Sequence, residues 1–175
     1  MKGSLILVGM PACGKSTVGV ILAKMLGKDF VDTDLVLQRR TGLHLSQLLQ
    51  RGRDSFMREE EEALLSIGKG TSAVIATGGS AVYSQRGMAH LKALGNCLYL
   101  EVSYEALVGR LRDMQGRGVV LGAGQTLLDL YRERVPLYQR YADFTVNEAG
   151  LDLEGVVRSC LRTIENGGNH QDAEG

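Results

Sequence analysis

The chain has 175 residues, which is enough for one domain with a substantial core but short for two. Its 20 basic residues balance its 20 acidic residues, so no overall charge draws it toward nucleic acid or an anionic membrane, and any recognition of anions has to be local. Three widely spaced cysteines argue against a disulfide framework or a zinc site, and no apolar stretch is long enough for a signal sequence or a membrane span, so we expect a cytoplasmic protein.

Short apolar runs alternate with longer amphipathic segments along the chain. The runs typical of buried strands are residues 5–8, 30–31, 73–76, 97–102 and 144–146. Apolar stripes at helical spacing begin at Val18, Tyr104 and Leu153. This alternation predicts an α/β fold in which helices cover both faces of a parallel sheet.

Three segments stand outside this alternation. An insertion at about residues 33–62 holds helical pieces beyond what one crossover needs and is predicted to form a wall for a second substrate; in its run of four glutamates, residues 59–62, one is expected to turn inward. Residues 115–124, QGRGVVLGAG, contain four glycines, and we predict a lid loop at about residues 113–124. Residues 166–175 are polar and glycine-rich, which predicts a disordered tail after a single domain of residues 1–165.

The sequence GMPACGKST, residues 9–17, follows the first strand and precedes the first helix, the context in which the pattern GxxxxGK[ST] binds phosphate. Backbone amides and the helix N-terminus face the anion, Lys15 brings a positive charge, and Ser16 offers a hydroxyl to Mg²⁺. The chain has no Asn-Lys-x-Asp guanine reader, and residues 73–76 run into Thr-Gly-Gly rather than acidic residues. A switch GTPase and a motor ATPase are therefore disfavoured, and a kinase or a nucleotide-binding protein derived from one remains.

Two aspartates, Asp32 and Asp34, come at the carboxyl end of the second strand, the edge at which parallel sheets bind ligands. One carboxylate can hold the Mg²⁺ shell near Ser16 while the other takes or orients the proton of an acceptor hydroxyl. The same residues equally suit a turn with an N-cap. Spacing alone favours neither interpretation.

Several segments together resemble the shikimate kinases. They are GMPACGKSTVG, VDTDLVLQRRTG, FMREEEEAL, ATGGSAV, the glycine-rich stretch with Arg117, and RERVPLYQRYAD. They occur in the family's order over about residues 4–165. The resemblance implies a P-loop kinase fold with a five-stranded parallel sheet flanked by helices, inserted substrate-binding helices and a lid loop. It also implies ATP-dependent phosphorylation of shikimate, with Mg²⁺, by a monomer without nucleic-acid or membrane partners.

The resemblance assigns the donor side of the site. ATP is implied to contact Gly9, Ala12, Cys13, Gly14, Lys15, Ser16, Thr17, Arg110 and Arg117. Lys15 is implied to neutralise charge on the transferring phosphoryl group, Arg110 to lie against adenine, and Arg117 to reach the phosphates when the lid closes. Ser16 and, through water, Asp32 are the implied ligands of Mg²⁺.

The resemblance also assigns the acceptor side. The predicted acceptor contacts are Asp34, Arg58, Gly78, Gly79, Ser80 and Arg134, of which the resemblance implies Asp34, Gly78, Gly79 and Arg134. Asp34 is implied to act as base or to orient the acceptor hydroxyl, which makes it a catalytic residue together with Lys15 and Arg117. Arg134 is implied to pair with the acceptor's carboxylate, and Gly78 lets the backbone approach closely.

Three positions depart from the family pattern. Met57 stands where shikimate kinases have an arginine that binds the substrate carboxylate. Arg58 replaces that arginine only if the helix starts one residue out of register, because one residue turns a side chain by about 100°. Ser80 stands in place of a third glycine, and Gly118 in place of a proline.

These departures concern the acceptor more than the donor, and three hypotheses remain. Phosphorylation of shikimate is the leading one. The second is phosphorylation of another small hydroxyl compound in a pocket reshaped by Met57 and Ser80. The third is a nucleotide-binding protein without kinase activity, which the intact P-loop lysine and aspartate pair disfavour.

Overall fold

The centre of the sheet is the first strand of the chain, β1 (Ser4–Val8). In the computed structural model, which describes residues 3–113 and 124–171, β1 pairs in parallel with β3 (Ala73–Ala76) on one side and β4 (Gly95–Glu101) on the other. Strands β2 (Asp29–Asp32) and β5 (Phe144–Asn147) lie outside these, in the order β2-β3-β1-β4-β5. The predicted five-stranded parallel sheet is confirmed.

Helices cover both faces of this sheet and bury its central strand completely. They are α1 (Lys15–Leu26), α2 (Thr33–Thr41), α3 (Leu45–Gln50), α4 (Arg53–Leu65), α5 (Gln85–Leu94), α6 (Tyr104–Asp113), α7 (Leu127–Tyr141) and α8 (Leu153–Gln171), with a short 3₁₀ helix at Ala81–Tyr83. Leu5, Ile6 and Leu7 are each 0% exposed, as expected for a strand whose side chains have no polar alternation. Along the described ranges, no helix combines the length and the apolarity needed to cross a membrane.

The order of the strands gathers three loops at one edge. The chain passes from β1 to the outer strand β2, returns to β3, and later crosses to β4 on the other side, so the loop after β1 lies where the winding direction reverses. Leu7 and Asp32 both lie in register with Ala76. The carboxyl ends of β1, β2 and β3 are therefore aligned, and the segments that follow them meet.

The predicted insertion forms α2, α3 and α4 and has a small apolar core of its own. Leu37, Leu48, Phe56 and Ala63 are buried in this second core. Met57 is half-buried and packs against it. The insertion is thus a separately packed wall beside the strand edge, formed by the helices from α2 to α4.

The C-terminal helix is longer than the sequence predicted. Residues 166–171 continue α8, whereas we expected a disordered tail from Asn166. The reason lies at Gly167, where a Cβ atom would overlap the ring of Phe144 in β5. The glycine lets the last part of the helix rest on this ring, and that packing outweighs the low helix propensity of the segment.

The predicted lid, about residues 113–124, lies outside the described residues except at its two ends, and Arg117 lies outside them entirely.

Candidate active site

The loop after β1 has a backbone shape suited to phosphate. Gly9 and Gly14 have φ angles of 151° and 96°, and Ala12, at 64°, is the one non-glycine residue with a positive φ in the described ranges. A Cβ atom on Gly9 would lie 2.7 Å from the carbonyl oxygen of Leu100, so only glycine fits against β4 at this point. Left-handed residues in such a loop turn successive N–H groups to one side, where they form an anion-binding concavity at the start of α1.

Lys15 is the first residue of α1 and is held against its own loop. Its Nζ donates hydrogen bonds to the carbonyl oxygens of Gly9 and Met10, both at 2.7 Å, and lies 3.5 Å from the Sγ of Cys13. Burial raises the pKa of the Cys13 thiol, which keeps it protonated and unreactive. Lys15 therefore supplies the charge of the loop, and Cys13 contributes packing.

Ser16 and Asp32 place two oxygen atoms beside this loop. The hydroxyl of Ser16 donates to Oδ2 of Asp32 at 2.8 Å, while Oδ1 accepts from the backbone N–H of Asp34 at 2.9 Å. Asp32 thus serves as the N-cap of α2 and also accepts from Ser16, so the N-cap interpretation is confirmed, while a role of the two aspartates at Mg²⁺ and at the acceptor hydroxyl stays a prediction. Over the described part of the chain, no cluster of three or more histidine, cysteine or acidic side chains forms a complete metal site.

A cavity of about 710 Å³ connects this loop with the insertion. Of the predicted site residues, those that line it are Ala12, Gly14, Lys15, Ser16, Thr17, Asp32, Asp34, Gly78, Gly79, Ser80 and Arg134. Side chains of the insertion, among them Leu49, Phe56 and Glu60, form its opposite wall. Gly9 and Cys13 belong to the loop but lie behind its surface, because Gly9 packs on β4 and Cys13 is 1% exposed.

The segment after β3 passes very close to the acidic residues. A Cβ atom on Gly78 would lie 2.5 Å from Oε1 of Glu60 and 2.9 Å from Oδ1 of Asp34. The N–H of Gly78 donates to Oγ1 of Thr33 at 3.0 Å, a contact that the sequence did not indicate. Any larger residue at position 78 would displace both carboxylates.

Arg134 reaches the cavity from α7. The residue is 1% exposed and its Nε donates to the phenolic oxygen of Tyr83 at 3.2 Å. Its guanidinium carbon lies 5.2 Å from the centre of the Tyr83 ring, and that of Arg53 lies 5.3 Å from it. Tyr83, which sequence reasoning missed, orients Arg134 by a hydrogen bond and by a cation–π contact.

Comparison with known proteins agrees with this arrangement. The sequence model of the shikimate kinase family matches residues 11–165. A shikimate kinase from Clostridium botulinum is 34% identical over 166 residues, which is 95% of this chain and 99% of that protein. The chain belongs to the shikimate kinase family.

Two further shikimate kinases, one compared by sequence and one by structure, are also similar to this chain. A shikimate kinase from Thiobacillus denitrificans is 36% identical over 161 residues, which is 90% of this chain and 87% of that protein. The solved structure of a shikimate kinase from Acinetobacter baumannii, in complex with shikimate, superposes with a TM-score of 0.82 at 29% identity and covers 95% of this chain and 94% of that one. The predicted family, fold and enzyme class, an ATP-dependent small-molecule kinase, are confirmed.

One predicted acceptor contact of this family member needs correction. Arg58 is exposed and does not line the cavity. Phe56 and Glu60, four residues apart on α4, face the cavity, and a residue midway between them projects about 200° around the helix from Phe56, to the opposite side. Arg58 therefore does not replace the arginine that is missing at Met57.

Glu60 is the inward-turned member of the glutamate run. It is 3% exposed, and its Oε1 accepts a hydrogen bond from the hydroxyl of Ser80 at 2.9 Å. Its Oε2 is buried without a hydrogen-bond partner in the described ranges. Burial, with the neighbouring carboxylate of Asp34, raises the pKa of Glu60 from 4.5 to about 7, although the hydrogen bond from Ser80 lowers it.

Replacing Glu60 with glutamine is expected to increase the free energy of unfolding more at about pH 8 than at about pH 5. The folded state raises this pKa, so the contribution of Glu60 to the free energy of unfolding is fully present below about pH 4.5. This contribution is lost as the pH rises through about 7, because the buried carboxyl then ionises. The wild-type protein loses on the order of 3 kcal/mol over this range, which glutamine does not. Urea unfolding of both proteins at the two pH values measures the difference.

The control for this comparison is Glu62→Gln. Glu62 lies on the same helix with its side chain 51% exposed, 3.7 Å from Arg40, and such surface pairs contribute little. A stability difference between wild type and Glu60→Gln that stays constant with pH would contradict the burial of an ionisable carboxyl at this point.

Arg110 lies on the donor side, outside the cavity lining. Its Nη1 is 2.7 Å from Oε2 of Glu148, a carboxylate whose side chain is 3% exposed, and 3.5 Å from the carbonyl oxygen of Ala12. Burial raises the pKa of Glu148, while Arg110 opposes that shift. The pair fixes Arg110 beside the phosphate loop, and no pattern in the sequence indicated Glu148 as its partner.

Proposed function

We propose that this protein phosphorylates shikimate with ATP and Mg²⁺ to give shikimate 3-phosphate, a reaction of aromatic amino acid biosynthesis. The observation that carries the proposal is a continuous cavity that runs from the phosphate loop to Asp34 and Arg134. A volume of about 710 Å³ is within the range of sites that enclose a small ligand. We further propose that the protein is a monomer and has no nucleic-acid partner.

The residues of the donor side fit a triphosphate and a hard divalent cation. The amides of the loop and the ammonium group of Lys15 favour the phosphates. The hydroxyl of Ser16 and a carboxylate oxygen of Asp32 are the kind of donors that Mg²⁺ accepts, and they would hold the ion here, Asp32 through water. When bound, the ion neutralises charge on the phosphates.

The residues of the acceptor side fit the transfer itself. Asp34 takes the proton of the acceptor hydroxyl while that oxygen bonds to the terminal phosphorus and the bond from phosphorus to the ADP oxygen breaks. Arg134 binds the acceptor's carboxylate and holds the ring in position for this step. The roles of Arg117 at the phosphates and of Arg110 at adenine rest on the family resemblance.

The test is a coupled assay of ADP release with shikimate and with a panel of other small hydroxy acids. Turnover that is fastest with shikimate supports the proposal. Tight ATP binding without turnover of any acceptor would instead favour a nucleotide-binding protein without kinase activity.

One observation favours a second candidate, the phosphorylation of a different small hydroxy acid. Met57 packs into the second core, and the hydroxyl of Ser80 points at Glu60 in the cavity. A pocket with one arginine fewer and one hydroxyl more than the family pattern has altered contacts for the acceptor. A member of the panel that outperforms shikimate would establish this candidate.

Replacing Arg134 with alanine is expected to raise the KM for the acceptor about ten- to a hundredfold, because a charged hydrogen-bonded contact is lost. The matched control is Arg58→Ala, for which we expect a KM within about twofold of wild type, since this side chain is exposed away from the cavity. Steady-state kinetics at saturating ATP gives both values, and thermal unfolding shows whether each variant folds. Equal effects of the two substitutions would mean that the acceptor carboxylate binds elsewhere.

A further inference from the structure

Glu60 and Ser80 form a contact in the acceptor part of the cavity that the proposed reaction does not use. The two residues are 20 apart in sequence, on α4 and in the loop after β3, and their side chains meet at 2.9 Å. Both are buried, at 3% exposure each, and both line the cavity. A carboxyl at such a position interacts with whatever binds in the cavity, so its protonation state affects the binding of an anion there.

The surroundings of Glu60 disfavour a second negative charge. Its Oε1 and the Oδ1 of Asp34 lie 2.5 and 2.9 Å from the point where a Cβ of Gly78 would stand, so the two carboxyl groups flank one glycine. Its Oε2 has no hydrogen-bond donor in the part of the chain that the structure describes. Two adjacent carboxylates in a buried site repel strongly, and one of them takes a proton.

In the part of the chain that the structure describes, few other charged groups lie around Glu60. Arg134 of α7 faces it across the cavity and favours its ionised form, and His44, at the N-cap of α3, lines the same cavity. On the helices packed against α4, Arg86 of α5 pairs with Glu61 and Arg40 of α2 pairs with Glu62, while His90 of α5 contacts the carbonyl oxygen of Ile67. Lys15 donates to carbonyl oxygens of its own loop.

We propose that Glu60 holds a proton, on Oε2, in the complex with the acceptor, so that binding of an anionic acceptor is coupled to proton uptake at this carboxyl, and that Ser80 sets the pH at which the coupling operates. The inference rests on the proposed function, because it requires an acid such as shikimate in this cavity. Its physical basis is charge balance. Among the described residues, Arg134 is the guanidinium that lines this part of the cavity, where an acceptor carboxylate and Asp34 already bring two negative charges, and an ionised Glu60 would add a third.

The expected consequence is a loss of acceptor affinity as the pH rises. With a carboxyl that ionises near pH 7, the protonated fraction of the free protein falls about tenfold between pH 6 and pH 8, and the apparent Kd and KM for the acceptor rise by the same factor. At about pH 7.5 we expect the protein to take up between about half a proton and one proton for each acceptor molecule that it binds. A role of Glu60 in packing alone predicts no such uptake.

The first experiment is isothermal titration of the wild-type protein with shikimate at about pH 7.5 in phosphate and in Tris buffer. Because these buffers differ in ionisation enthalpy, the difference in observed heat gives the number of protons exchanged. The KM for shikimate is measured in parallel from about pH 6 to about pH 8.5.

Two substitutions change the pH dependence of acceptor binding in different ways. Glu60→Gln cannot ionise, and we expect no proton uptake and a KM that does not change over this pH range. Ser80→Ala removes a hydrogen bond that favours the ionised carboxylate, and we expect the pH at which binding weakens to rise by about one unit. Glu62→Gln, on the outer face of α4, keeps the wild-type profile.

The possible outcomes separate the inference from the proposed function. Shikimate that is bound and phosphorylated without proton uptake and with a KM independent of pH overturns the inference and leaves the function standing. Proton uptake that persists in Glu60→Gln overturns it as well, because the proton then goes to another group. Absence of both binding and turnover by the wild-type protein at every pH overturns the function together with the inference.

Discussion

Replacing Lys15 with methionine is expected to lower kcat for phosphoryl transfer by about 10²–10³-fold while the fold is retained. The ammonium group is the charge that the loop holds in place by two hydrogen bonds of 2.7 Å, and in the proposed function it contacts the phosphates of the bound nucleotide. Methionine fills a similar volume without charge. The coupled ADP-release assay measures kcat, and thermal unfolding shows that the variant folds.

Lys24→Met is the matched control for this substitution. Lys24 lies in the last turn of the same helix, exposed and remote from the loop, so we expect wild-type activity. Wild-type activity in the Lys15→Met protein would mean that the phosphate loop does not hold the phosphoryl donor during the reaction.

Replacing Asp34 with asparagine is expected to lower kcat about 10²–10⁴-fold, the usual contribution of a general base. Asparagine has nearly the same shape, and the backbone N–H of residue 34 still donates to Asp32, so the start of α2 is preserved. What is lost is the ability to take the acceptor's proton. Saturating concentrations of both substrates are used, so that the loss is in kcat rather than in binding.

The control for Asp34 is Asp29→Asn. Asp29 is exposed at the other end of β2, away from the edge where the loops meet, and we expect no change in kcat. An Asp34→Asn protein with the wild-type kcat would show that the acceptor hydroxyl loses its proton to another group, and the assignment of Asp34 as base would be abandoned.

The strands and the phosphate loop could be predicted because their signals are contiguous in sequence. The apolar run at residues 5–8 became β1 (Ser4–Val8), and the run at 30–31 became the core of β2 (Asp29–Asp32). A buried strand needs an uninterrupted apolar run, and a phosphate loop needs glycines, a lysine and a hydroxyl at fixed spacing. Such features depend on neighbours within about ten residues.

The contacts between distant residues could not be predicted in this way. The run of four glutamates indicated that one of them turns inward, but which one depends on how α4 is rotated against its neighbours. That rotation places Glu60 in the cavity and Arg58 on the outside, against our expectation for Arg58. Likewise, nothing near Arg110 in sequence indicated Glu148 as its partner.

The sequence by itself determined a parallel α/β sheet, a phosphate-binding loop after the first strand and an acidic pair after the second, because each depends on local backbone geometry and local burial. Only the tertiary structure decided which side chains of the inserted helices face the acceptor. Strand order brings three loops to one edge, and the packing of α4 beside that edge selects Glu60 and Ser80 as neighbours. A helix of given sequence can present any of its faces, and only the surfaces that it packs against fix which one.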